Sequence, residues 1–460
     1  MSSQNDTGPA HPLVKPGILL VIAAITLGVF TQLTVRRWSP DPALPKSADS
    51  LPPAATIIPP EEAASNHALR FYAGRVKRDP EDTRSQNALA ELYLQRVRET
   101  GNEDYLPLAL NAARASLRAV AAERNLGGLT ALAHAEFANH AFAAARDHAR
   151  RLIELNPAKS EPYAILGDAS LELGAYPEAA AAFEKMQRFA EGDAGTEIRL
   201  ARLAILHGAL AEARQHFEAA LALLLALPRP PNETLAWCRW QLGEIAFAAG
   251  DYASAENYYR AALKDAPSSF RALGSMGRVR AARGDFPAAI SFYEQAVRIV
   301  PVVEFMAALG DLYQLSGQSK DAAVRYELVE QLGEHSRKVH GTPHDRRIAL
   351  FLADHDLKTE QAYALARGEF DAGRHDVYGA DALAWTALKA GRIAEAQAAI
   401  KEALRLGTLD ARLFYHAGMI ARAGGDESGA AVLLQRALAL NPHFDPMQSE
   451  IARRALTSKR

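Results

Sequence analysis

The chain has 460 residues, 49% of them hydrophobic and only 7% aromatic, with 52 basic side chains against 54 acidic ones and one cysteine, Cys238. A net charge of −2 gives no field for steering onto nucleic acid, and a lone cysteine excludes an intrachain disulfide. The apolar residues are largely alanine, with few β-branched runs beyond the N-terminal segment, which suits close-packed helices better than a sheet.

Residues 1–16 are polar and broken by Pro9, Pro12 and Pro16, so a disordered tail is expected. Residues 17–35 carry no charge and are flanked by Lys15 and by Arg36 and Arg37. At 1.5 Å per residue they are long enough to cross a bilayer core, and no small-x-small cleavage site follows them directly. The expectation is one retained transmembrane helix and a single-pass location in the cell membrane. The side of the membrane stays open. Arg36, Arg37 and Lys46 outnumber Lys15, which favours a cytoplasmic position for the bulk of the chain. Residues 36–60, a tether rich in proline and alanine, are of a kind frequent in exported proteins.

From residue 61 a different order begins. In 270–301 two short amphipathic helices are expected, with Gly284 ending the first, Asp285 capping the second and Pro287 in its opening turn. Aligned on the small residue of the second helix, the chain reads Ala68, Ala109, Ala145, Ala179, Ala213, Ala255, Ala289, Ala322, Ala362, Ala396 and Ala430. Five of these ten steps are 34 residues long. Glycine stands five residues earlier at Gly174, Gly208, Gly250, Gly284, Gly317, Gly391 and Gly425. Tyr72, Phe183, Phe217, Tyr259, Tyr293 and Tyr326 stand four residues later, and Pro80, Pro157, Pro267, Pro301 and Pro442 twelve later.

This pattern resembles the tetratricopeptide repeat (TPR), a 34-residue helical hairpin with Leu-Gly, a turn, alanine, an aromatic and a closing proline. The resemblance implies an all-α, right-handed TPR superhelical solenoid of about ten to eleven helical hairpins, preceded by the one transmembrane helix. Divergent units are expected at 61–125, regular units at 126–332, a divergent hairpin with a His-rich insert at 333–376 and regular units at 377–442. Within the insert, Thr342 has the character of an N-cap with Pro343 at the first helical position. Residues 443–460 should form a capping helix opened by Asp445 and Pro446, with Arg453, Arg454 and Lys459 facing water.

No catalytic signature is present: no GxxxxGK[ST], HExxH, GxSxG or GxGxxG after a strand. The chain is therefore expected to be neither an enzyme nor cofactor-dependent. The one cluster of metal-ligating types is His335, His340, His344 and His355 with nearby aspartates, and an accessory protein binding a divalent metal there is the alternative. Its spacings put no two histidines on one helical face, which favours solvated loop and helix-end residues instead. Cys238 has the character of a small buried residue.

The resemblance places partners in the concave groove lined by the first helix of each pair. The groove position after the Leu-Gly small residue is filled by His134, Asp168, Arg202, Glu244, Arg278, Asp311, Trp385 and Met419. From Asp168 to Asp311 its charge alternates strictly, either as a structural ladder or as a surface for a partner of mixed charge. Trp237, Trp240, Tyr378, Trp385 and Tyr415 are the candidate aromatic anchors. The family's lysine and asparagine clamp for a C-terminal carboxylate is absent: the matching places hold Ile198 with Arg202, Trp240 with Glu244, and Gly274 with Arg278. The expected function is a membrane-tethered, non-catalytic scaffold for a protein or peptide partner.

Overall fold

The computed structural model describes residues 60–340 and 346–457, and residues 61–460 form one compact unit. The described residues contain 22 α-helices, a short 3₁₀ helix at Ala122–Arg124 and no strand. Ten helix pairs follow one another, preceded by the single helix Pro60–Arg78 and followed by the single helix Gln448–Thr457.

The local chemistry that makes each pair is clearest in Phe270–Ala282 and Phe286–Ile299. The Asp285 carboxylate accepts from the Ala288 N–H at 3.2 Å, and Pro287 occupies the first turn, where its missing N–H leaves no bond unmade. Gly284 has φ +77°, in the left-handed region that a side chain would strain, and the six other turn glycines lie between +71° and +87°. Every alanine of the alignment is buried except Ala68, where Leu69 takes the inward position.

The divergent region departs from the regular pair in a simple way. Its second helix, Ser319–His340, runs for 22 residues, and the first helix that follows, Arg346–Asp354, has only nine. Thr342, Pro343 and His344 lie outside the described residues. At the far end Asp445 accepts from the N–H groups of Met447 and Gln448 at 2.8 and 2.7 Å and caps the last helix. Ala452 is buried there while Arg453 and Arg454 reach water, and Lys459 lies outside the described residues.

The row of pairs curls until hairpins about one coil apart touch. Seam contacts join residues separated by 189 to 231 positions. The Val377 N–H donates to the Tyr176 hydroxyl at 2.8 Å, the Asn441 amide donates to the Phe247 carbonyl at 2.7 Å, and Arg374 pairs with Glu172 at 2.8 Å. The Thr408 hydroxyl donates to the Leu206 carbonyl. In each case the turn inside an earlier hairpin meets the loop between two later ones. The wall of the coil is therefore sealed along this seam.

The membrane expectation is corrected. The segment 17–35, with the tail and tether around it, lies outside the described residues. Among the described residues no helix is long and apolar enough to cross a membrane. The longest, Ser319–His340, carries Lys320, Asp321, Arg325 and Glu327 within its first half, which a bilayer core would not accept. A single-pass membrane location is not supported.

Candidate partner-binding site

The inner wall is built by one local device. In four of the regular units a glycine of the first helix lies against the aromatic ring of the second. A Cβ on Gly243 would come within 2.3 Å of Tyr259 Cε1, one on Gly310 within 2.5 Å of Tyr326 Cε1, and one on Gly277 within 2.8 Å of Tyr293 Cδ2. The ring passes beneath the glycine and its far edge emerges beside the next residue of the first helix. There the Tyr259 hydroxyl donates to Glu244 Oε1 and the Tyr326 hydroxyl to Asp311 Oδ1, both at 2.7 Å. Burial, followed by the charge of the acid, pushes both phenol pKa values up, so each hydroxyl stays a donor. In the unit with Phe183 the ring packs on Gly167 but offers no hydroxyl, and Asp168 is held by Arg199 and Arg202 at 2.8 and 3.0 Å instead.

The alternating row resolves into separate stations. Arg202 reaches Asp168 and, at 3.4 Å, Glu172, rather than Glu244. Glu244 accepts from Arg278, Tyr259 and the Ser275 hydroxyl, and the Arg278 guanidinium lies 4.1 Å from the Phe247 ring centroid. Asp311 turns to His355, whose Nε2 lies 2.7 Å from Oδ1, while His355 Nδ1 lies 2.7 Å from the Phe351 carbonyl oxygen. An imidazole facing acceptors on both sides needs both protons. Burial alone would lower its pKa, but the hydrogen bond and charge of Asp311 more than offset this, and the net shift is upward.

The aromatic candidates divide in two. Trp237 and Trp240 are half-buried on the wall, ring centroids 6.5 Å apart, with the Trp240 indole N–H donating to Ser275 at 2.9 Å. Tyr378 is 36% exposed. Trp385 and Tyr415, each 2% exposed, lie in the core and not on the open wall. Trp385 stacks on His416 at 4.2 Å and donates to Asp354 at 2.8 Å, and Tyr415 packs on Phe444. Asp354, one of the aspartates beside the histidine cluster, also accepts from Arg412 and Gln448, and this gathering role was not foreseen. Neither was the seam network of Arg346, Glu369, Arg374, Asp376 and Glu172. Burial raises the Asp376 pKa, but Arg346 and Arg374 outweigh it and hold the carboxyl below its ordinary range.

The metal alternative is unsupported. His355 is committed to Asp311 and Phe351, and His335 lies 3.5 Å from Asp104, far along the chain from the insert. His344 and the His340 side chain lie outside what is described. No group of three or more metal-ligating side chains occurs among the described residues. Cys238 is fully buried, and burial pushes its thiol up to about 12, which leaves it unreactive.

The tetratricopeptide-repeat family models agree with this architecture. One tetratricopeptide-repeat family model matches residues 130–194, 241–303 and 382–443, and a second matches 193–268. No curated protein matches the chain by sequence. Among solved structures it is similar to yeast Tom70, at 13% identity over 86% of this chain and 93% of that one, with a TM-score of 0.37. It is also similar to pilF of Pseudomonas aeruginosa, at 14% identity over 44% of this chain and 90% of that one, with a TM-score of 0.37. PilW, a type IV pilus biogenesis factor, matches at 16% identity over 44% of this chain and 91% of that one, with a TM-score of 0.38. Matched family models, turn glycines in phase and ring-on-glycine hairpins together make this chain a tetratricopeptide-repeat protein.

Proposed function

We propose that the protein is a non-catalytic scaffold that holds an extended segment of a protein partner against its inner wall, centred between Arg202 and Glu244. The observation that carries this reading is the break in the ladder. Asp168 with Arg202 and Glu244 with Arg278 are separate ion pairs, and half-buried Trp237 and Trp240 lie on the first helix that bears Glu244. Two inclined indoles, 55° between their planes, flanked by charges of both signs suit a segment with an apolar anchor and mixed charge on either side. The pairs themselves, about a third exposed on the arginine side, contribute only about 0.2–1 kcal/mol each to stability. Their removal is therefore tolerable, which makes the wall testable.

A photoactivatable amino acid in place of Trp240 tests the reading. It should cross-link one discrete partner segment, whereas the same group in place of Val432, which is 63% exposed on a second helix, should not. Equal capture at both positions would remove the inner wall from consideration.

A further inference from the structure

One charged cluster serves neither the seam nor the inner wall. Glu256, on the second helix Tyr252–Asp265, is buried and accepts from three guanidinium groups at once. Arg260 stands one turn further along the same helix. Arg280 and Arg283 come from the end of Phe270–Ala282, the first helix of the next pair. Arg260 and Arg280 share the oxygen Oε1, and Arg283 takes Oε2. None of the three arginines forms another ion pair among the described residues. Three positive charges therefore meet one negative charge.

Hairpin packing does not call for this cluster. The places of Arg280 and Arg283 hold Ala246 and Ala249 one unit earlier, and Tyr313 and Ser316 one unit later. Those units form the same helix pair without it. One guanidinium would neutralise Glu256 and staple the two hairpins, whereas a second on the same oxygen adds repulsion between like charges. The other acids of this stretch are turned elsewhere. Asp265 pairs with Arg239 at 2.9 Å, and Asp251 and Asp285 accept from the N–H groups of Ser254 and Ala288 at helix starts, whose partial positive charge they offset. The three arginine side chains are 60%, 24% and 37% exposed, so their outer N–H groups face water while Glu256 fixes where they converge.

We propose that Arg260, Arg280 and Arg283 bind a phosphate-class oxyanion, held beside Glu256 by the guanidinium N–H groups that its carboxylate does not use. The charge matches: the surplus over Glu256 is met by a phosphate group, which carries about −1.5 to −2 at neutral pH and offers three acceptor oxygens. The donors match as well. A guanidinium has five N–H groups in a planar fork that fits phosphate oxygens two at a time, and all three cations here are arginines. Because Glu256 already orders the three side chains, little of their freedom remains to be lost on binding. Free phosphate and a phosphate ester on a partner protein present this same group.

The test is isothermal titration calorimetry of the full chain at constant ionic strength. Its probes are inorganic phosphate and the peptide Gly-Gly-Ser-Gly-Gly phosphorylated on its serine. Phosphate should bind saturably. Arg260→Ala and Arg283→Ala should each weaken it by about tenfold. Arg188→Ala, which removes a 62% exposed arginine on another helix, should leave it unchanged. Arg260 lies on the open face of its helix, away from the junction of the hairpins, so its variant reads binding and not folding, and circular dichroism checks the helix content of each protein. Binding of both probes makes an ester on a protein the source, and binding of phosphate without the peptide makes it the free anion; either supports the site. The absence of saturable phosphate binding up to about 20 mM overturns the proposal. So does phosphate binding that both arginine variants leave unchanged.

Discussion

The backbone N–H of Val377 donates to the hydroxyl of Tyr176 at 2.8 Å across 201 residues of chain, and both residues are buried. This bond ties the loop between two late hairpins to the turn of an early one. Tyr176→Phe would leave the N–H buried without a partner, at a cost of about 1–3 kcal/mol. Because each hairpin leans chiefly on its neighbours, the loss should open the seam before it unfolds the repeats. Hydrogen exchange should quicken at residues 174–176 and 374–377 while the helix Phe286–Ile299 keeps its protection. Uniform loss of protection would show that the seam is not a separate unit.

The contact between Gly243 and the Tyr259 ring predicts a steric effect. Gly243→Ala puts a Cβ 2.3 Å from Tyr259 Cε1, on a ring that is itself fully buried, and should cost about 1–3 kcal/mol by overpacking. Tyr259→Phe keeps the ring and removes only the hydroxyl from Glu244, which retains Ser275 and Arg278, so it should cost about 0.5–1.5 kcal/mol. Denaturant melts rank the two. A milder effect for the glycine variant would contradict the ring-crossing geometry.

How much of this was legible in the sequence depended on range. The turn glycines, the caps such as Asp285 and the buried alanines are set within one hairpin, and their spacing announced them. The seam was not legible, because contacts such as Asn441 with Phe247 depend on small rotations accumulated over six hairpins. The groove row was legible as a row but not as pairings. Asp311 matched the alternation yet turned to His355, 44 residues later, a residue of the histidine cluster that the spacing favoured as a solvated helix-end side chain and offered as a metal ligand only in the alternative reading. Trp385 and Tyr415 carried the right residue types for anchors. They are buried because Asp354, ending a helix of only nine residues, gathers Trp385, Arg412 and Gln448 around itself.

The His355 to Asp311 bond predicts a pH dependence. The folded-state pKa of His355 is raised above its unfolded value, so the bond's stabilisation is fully present below the unfolded value, near about 6.5. It is lost as pH rises through the raised folded value. Stability of the wild type relative to His355→Gln should therefore fall from about pH 6.5 upward and then level off. Comparison with the variant cancels the contributions of His134 and His148, whose pKa values are raised too. A difference that grows with pH would contradict the doubly protonated ring.

The measurement that bears most directly on the inner wall is binding of the segment captured at position 240, as a function of salt, by three variants. Arg202→Glu and Arg278→Glu place like charges beside Asp168 and Glu244 and beneath the partner. Affinity should fall about tenfold or more for each, and the loss should shrink at high salt. Trp240→Ala should weaken binding without that salt dependence, because it removes apolar contact area. Unchanged affinity in all three variants would contradict the account and leave the charge row a purely structural feature.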